Sequence, residues 1–269
     1  MSNHSDSAGQ SWAGRSFEPN PSAGDDGSAP PALMAALASF RASDPQSPER
    51  TATHIAVVDA IRTARFLIPL VAEAGDVGVN AEGLMVDKTQ ELGIVTVAGP
   101  GERTVLPVFT SVSAMTAWRT DARPVPADGT RVALAAAGDG AQWVVLDPGS
   151  ASEFVIRRPT VDAIAQSLSW VPSHVDPLVI EAFTRSIAAQ QAIRGLTLHS
   201  GDPDARGNND ELTVELVLAP HLEQDDLLLI VNSLADVWAA EPVISERVDS
   251  LRVHLIPDAD VNAHPDPRL

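Results

Sequence analysis

Between Leu106 and Phe154 the chain reads LPVFTSVSAMTAW and then RVALAAAGDGAQWVVLDPGSASEF. A β-rich run, a helix-forming run with an aromatic anchor and a Gly-Asp-Gly turn follow one another in fixed order. The pattern predicts a strand over 104–109 and a helix capped by Ser111 that buries Val112, Met115 and Trp118. It further predicts strands over 131–136 and 142–146, joined by a hairpin at Gly138-Asp139-Gly140. No residue set that a reaction demands is embedded in this stretch. It constrains the fold far more than the chemistry.

At 269 residues, 44% of them hydrophobic, the chain has ample capacity to bury cores. No apolar run approaches the roughly 20 residues of a membrane helix. The first residues lack a basic stretch followed by an apolar one, so a cytoplasmic protein is expected. With 0 Cys there are no disulfides, thiolate nucleophiles or thiolate metal sites. The net charge is −18, from 36 acidic and 18 basic residues. Such a chain repels phosphate backbones and anionic lipid, so neither nucleic acid nor a membrane is expected as partner. Lys88 is the sole lysine and Tyr is absent, the residue usage of a high-GC genome, and an acidic surface serves solubility on its own account.

Periodicity and punctuation divide the chain. Residues 1–31, rich in Ser, Gly and Pro, read as a disordered tail in which Trp12 and Phe17 are stray aromatics or a docking motif. Residues 32–64 read as a helical lead-in, with helices over 32–41 and 49–64. Residues 65–172 read as a mixed α/β layer, with further strands over 65–72, 92–98 and 154–156 and a helix capped by Thr160 that buries Val161, Ile164 and Leu168. Residues 173–257 read helix–strand–strand–helix–strand, with Asp176, Pro177 and Gly195 framing the first helix. Residues 258–269 read as a second disordered tail. The expected class is α+β, with two mixed α/β layer domains: an N-terminal mixed sheet with flanking helices and a smaller C-terminal α-β-β-α-β domain.

The RFLIPL and ELGIVTV strands, LPVFTS, Trp118 in the following helix and VVLDPGS at 144–150 resemble the N-terminal domain of the SseB family, the enhanced serine sensitivity proteins. Residues 176–256 are similar to that family's C-terminal domain in the order of their elements. The resemblance is to an actinobacterial-type member. It implies a fold and carries no catalytic residues. Sulfurtransferases have borne a name of the same letters, but persulfide transfer needs a Cys that this chain lacks.

Candidate sites come from the residues themselves. Asp147-Pro148-Gly149-Ser150 reads as a strand-ending turn in which Asp147 bonds its own backbone, or as a small anion-binding turn. Alternation places Thr197, His199, Thr213, Glu215, Arg252 and His254 on one sheet face of the C-terminal domain. A polar solvent face accounts for them, and His199, Glu215 and His254 also make a candidate metal-ligand set. Trp118, Trp143 and Trp170 read as core or rim anchors, and Trp118, Asp147, Gly149 and Ser150 stand as interaction candidates. No phosphate-loop, dinucleotide or nucleophile-elbow spacing occurs, so no catalytic residue and no cofactor is assigned. The expected function is a non-enzymatic binding or protein-interaction module for a protein or small ligand. The alternative is an uncharacterised, hydrolytic enzyme with its site between the two domains.

Overall fold

The computed structural model describes residues 24–72, 77–79, 85–87 and 92–258. Trp12, Phe17 and most of both expected tails lie outside the described residues. Two helices lead, α1 (Pro31–Ala42) and α2 (Pro48–Thr63), each opened by a proline whose missing N–H is harmless in the first turn. Then come β1 (Arg65–Ala72), β2 (Val77–Val79), β3 (Met85–Asp87), β4 (Leu92–Ile94), β5 (Val97–Ala98) and β6 (Thr104–Val108). Next follow α3 (Val112–Trp118), β7 (Arg123–Asp128), α4 (Gly129–Gly138), β8 (Trp143–Leu146), β9 (Phe154–Arg157) and α5 (Arg158–Ala165). The last part holds α6 (Pro177–Ile187), β10 (Ile193–Ser200), β11 (Leu212–Leu218), α7 (Gln224–Ala240), α8 (Pro242–Arg247) and β12 (Leu251–Pro257). Helices and mixed sheets together make this an α+β fold.

The sheet order is β4-β1-β7, all antiparallel, and β5-β6-β8-β9, in which β6 and β8 run parallel. The two sheets meet where Leu67 and Phe109 exchange backbone hydrogen bonds. Leu33, Leu37 and Phe40 of α1 and Val57, Val58 and Ile61 of α2 pack in one core with Phe66, Leu106, Leu146 and Phe154. The helical lead-in is thus part of the N-terminal core. The described residues ahead of α1 are docked too: Asp25 pairs with Arg65 at 2.8 Å, and the Gly27 carbonyl accepts the Val112 N–H.

In the C-terminal part, β10-β11-β12 forms a sheet with β10 antiparallel and β12 parallel to the central strand. Leu212, Val214, Leu216 and Leu218 alternate inward against Phe183, Leu234 and Trp238. Asp176 caps α6 by accepting the Leu178 N–H, and its second oxygen pairs with Arg247 of α8 at 2.8 Å. Helix α6 ends at Ile187, and Gly195 lies inside β10, so Gly195 does not close the helix.

Other departures are local. Residues 131–136 are helical, because Asp128 accepts the Arg131 N–H and caps an alanine-rich run of high helix propensity. Gly138-Asp139-Gly140 therefore ends α4 and forms no hairpin, and β6 meets β8 through a long parallel crossover. Strand β7 carries Pro124 and Pro126 at a sheet edge, where a missing N–H breaks no ladder. Arg157 takes the cap position of α5, with Thr160 inside the helix and Leu168 half exposed beyond it.

Candidate functional site

The register of the C-terminal sheet sets Thr213 between His199 and Arg252, and Glu215 between Thr197 and His254. This is the face turned away from α6–α8. The loop before α2, the first turns of α2 and the 172–175 segment stand over its His199–Arg252 end. Between them lies an open cleft of about 680 Å³. Ser47, Arg50, Thr51 and His54 line one side of it, and His174, His199, Thr213, Glu215 and Arg252 line the other.

His54 forms the floor. It falls on the core stripe of α2, one turn before Val57 and Val58, so the helix drives it inward with them. Phe40, Phe154 and Trp170 surround the imidazole at ring-centroid distances of 5.0, 5.5 and 4.9 Å. Its remaining accessible surface faces the cleft and a smaller cavity behind it. Burial, with smaller contributions from His174 and nearby arginines, pushes it down to about 3, so the ring is neutral. His174 is also lowered, first by burial and then by His199.

The cleft's two arginines differ. Arg50 is buried, donates to the carbonyls of Phe40, Ser43 and Pro203, lies 4.0 Å from the Phe40 ring centroid and pairs with Asp204. Arg252 is exposed, donates to Thr213 Oγ1 at 2.9 Å and has no carboxylate within ion-pair distance among the described residues.

Behind His54 a cavity of about 30 Å³ is lined by Arg157, Ser173, Asp202 and Glu211, space for about two waters. Burial pushes the Glu211 carboxyl up, opposed by the Asp249 N–H, Ser173 and Arg157. Arg157 pairs with Asp202 at 2.8 Å and Asp249 at 3.1 Å, both buried. Trp143 Nε1 also donates to Asp249. These contacts fasten β9 to the loops after β10 and before β12, both at the end of the C-terminal sheet where β11 begins, so the cleft walls are tied together at that end.

The residues singled out from sequence divide into two groups. His199 Nε2 and His254 Nδ1 each lie 3.8 Å from Glu215 Oε2, so alternation and register bring the three together. Among the described residues, however, no group of three His, Asp or Glu side chains is placed to hold a metal ion. Trp118 is half-buried against Phe109, ring centroids 5.2 Å apart. The buried Asp147 carboxylate does not bond its own turn: it accepts from Thr110 N, Thr110 Oγ1 and Ser152 Oγ. Gly149 N–H donates to Glu153 at 2.6 Å, so a carboxylate of the chain itself fills that turn, and Ser150 bonds Ser152 beside it. Sequence reasoning misses Arg50, His54 and His174. A histidine on the core stripe of α2 is the one signal that pointed at any of them.

Residues 33–163 match the family model described as SseB protein N-terminal domain. The match takes in all but the first residues of α1 and all of α2, which the sequence resemblance had left outside. No curated protein and no solved structure matches the chain.

Proposed function

From the premise that the chain belongs to the SseB family through its N-terminal domain, we propose that it is a non-enzymatic cytoplasmic binding module. Residues 173–257 serve as the family's C-terminal domain, and the cleft between α2 and the polar sheet face takes a small ligand or a segment of a partner protein. The observation that supports this reading is a polar cleft whose walls are locked together. Its imidazole floor is too weak a base at neutral pH to take a proton from substrate. Arg50 is already held by three carbonyls and Asp204. What remains available are hydrogen-bonding and charged groups that bind. No helix among the described residues is long and apolar enough to cross a membrane.

A thermal-shift screen of the full chain against metabolites, with affinity capture from native extract, tests it. At least one ligand or partner is expected, and Thr51→Trp, which fills the cleft from the α2 side, abolishes its binding while leaving the fold intact. No shift and no captured protein in either assay sinks the reading.

Glu211 favours a second reading, a hydrolase with its site between the layers, because a buried carboxyl held up in its proton affinity is a general acid in waiting. Its cavity, at about 30 Å³, admits water and no substrate, which ranks this reading second. Turnover of any substrate that Glu211→Gln abolishes reverses the order.

A further inference from the structure

The geometry points to a small oxyanion, a carboxylate or phosphate group on a small molecule, as the ligand of the cleft, an inference that rests on the binding-module reading. The chain carries a net charge of −18, yet the charged side chains lining this cleft are Arg50, Arg252 and one carboxylate, Glu215, together with three imidazoles. Glu215 is flanked by His199 and His254, whose ring nitrogens lie 3.8 Å from its Oε2 and offset its charge when protonated. The Arg50 charge is spent on Asp204. That leaves the Arg252 guanidinium with donors to spare, since Thr213 takes only its Nε–H. A guanidinium presents a planar fork suited to an oxyanion and to few neutral groups.

The imidazoles extend the same preference. His174 and His199 line the cleft together, and an anion beside them favours the charged form of His174, whose proton affinity burial and then His199 lower. His54 is enclosed by aromatic rings, makes no hydrogen bond among the described residues and turns its open edge to the cleft. A neutral imidazole offers one N–H donor there. The start of α2 lies in the same wall, and Ser47 leaves it without a side-chain cap. At about 680 Å³ the volume is that of a small-molecule site, whereas a protein segment needs a broader surface.

Calorimetric titration of the full chain at low ionic strength, with inorganic phosphate in one arm and acetate in the other, tests the inference and separates the two sources of oxyanion. One-to-one binding with a Kd of about 1 mM or tighter is expected for at least one probe. Arg252→Gln weakens it about tenfold or more, a loss of about 1.4 kcal/mol, and Arg252→Lys restores part of it. Arg194→Gln, at an exposed arginine outside the cleft, binds as the parent does. Arg252 is exposed, so the variants keep their melting temperature. Lack of saturation by either probe, or saturation that Arg252→Gln does not weaken, overturns the inference. A neutral metabolite whose thermal shift disappears in Thr51→Trp, with neither anion bound, removes the oxyanion and leaves the binding-module reading standing.

Discussion

His54 shows how one side chain serves both packing and site. Its folded proton affinity lies near 3, against 6.5 in a solvated chain, and the first cause is burial. The unfolded chain therefore takes up a proton that the folded chain refuses as pH falls between those values. Stability that is complete above pH 6.5 is lost on acidification, by about 1.4 kcal/mol per pH unit through the middle of that range. Glu211 works in the opposite sense: its raised carboxyl keeps a proton in the fold that the unfolded chain releases, so its contribution grows as pH drops toward the carboxylate range. Urea unfolding at pH 7 and pH 5 separates the two. His54→Phe, whose ring suits the cage of Phe40, Phe154 and Trp170, flattens the acid loss, whereas Glu211→Gln steepens it. Identical pH dependence in parent and His54→Phe contradicts a neutral buried imidazole.

At the scale of elements, the turn after β8 argues for structure over ligand binding. Asp147 sits with φ +44 and accepts at its two carboxylate oxygens from Thr110 and Ser152, which pins the end of β8 to a residue two positions past the end of β6. Asp147→Ala leaves a buried N–H and a buried hydroxyl without their acceptor, an expected loss of at least about 2 kcal/mol in chemical denaturation. Oxyanion binding at the cleft stays as in the parent; a variant that keeps its stability and loses binding assigns the turn to the site instead. The same region shows what a single sequence reveals. Caps at Ser111 and Asp176 and the alternation of β11 were legible because each signal is local. The α4 run RVALAAA was misread as a strand because Val132 and Leu134 mimic alternation, while the cap that decides for a helix sits three residues earlier at Asp128. Strand β7 went unseen because its two prolines read as turn, and only its place at a sheet edge makes them tolerable. The metal-candidate trio was placed on one face by alternation, but the cleft was invisible: its walls come from residues 45–54, 172–175 and 198–252, brought together by tertiary structure alone.

For the whole molecule, Arg157 is the joint on which the cleft depends. It projects from β9, stacks 4.9 Å from the Trp143 ring centroid, and pairs with Asp202 after β10 and Asp249 before β12. It also donates to the Asn209 carbonyl at 2.7 Å. Nearby, Val155 N–H donates to the Ala205 carbonyl, and Gly207 lies so close to Trp143 that a Cβ would meet the indole at 2.8 Å. The N-terminal and C-terminal cores are otherwise separate clusters, each able to hold its own elements. Arg157→Met keeps the volume and strands two buried carboxylates, a loss on the order of 3–5 kcal/mol concentrated at the joint. Its expected signature is a melt that splits in two, with Trp143 fluorescence shifting at the lower transition and Trp238, packed on Phe183 in the C-terminal core, at the higher. Arg157→Lys falls between, because an ammonium cannot reach both carboxylates in the fork geometry. Adding Asp202→Asn and Asp249→Asn to Arg157→Met removes the stranded charges and recovers part of the loss. A single transition at the parent midpoint in Arg157→Met means that the remaining contacts, such as Arg50 to Pro203 and Asp204 and Arg158 to Ser245, suffice to join the layers, and the cleft then does not owe its fixed shape to this arginine.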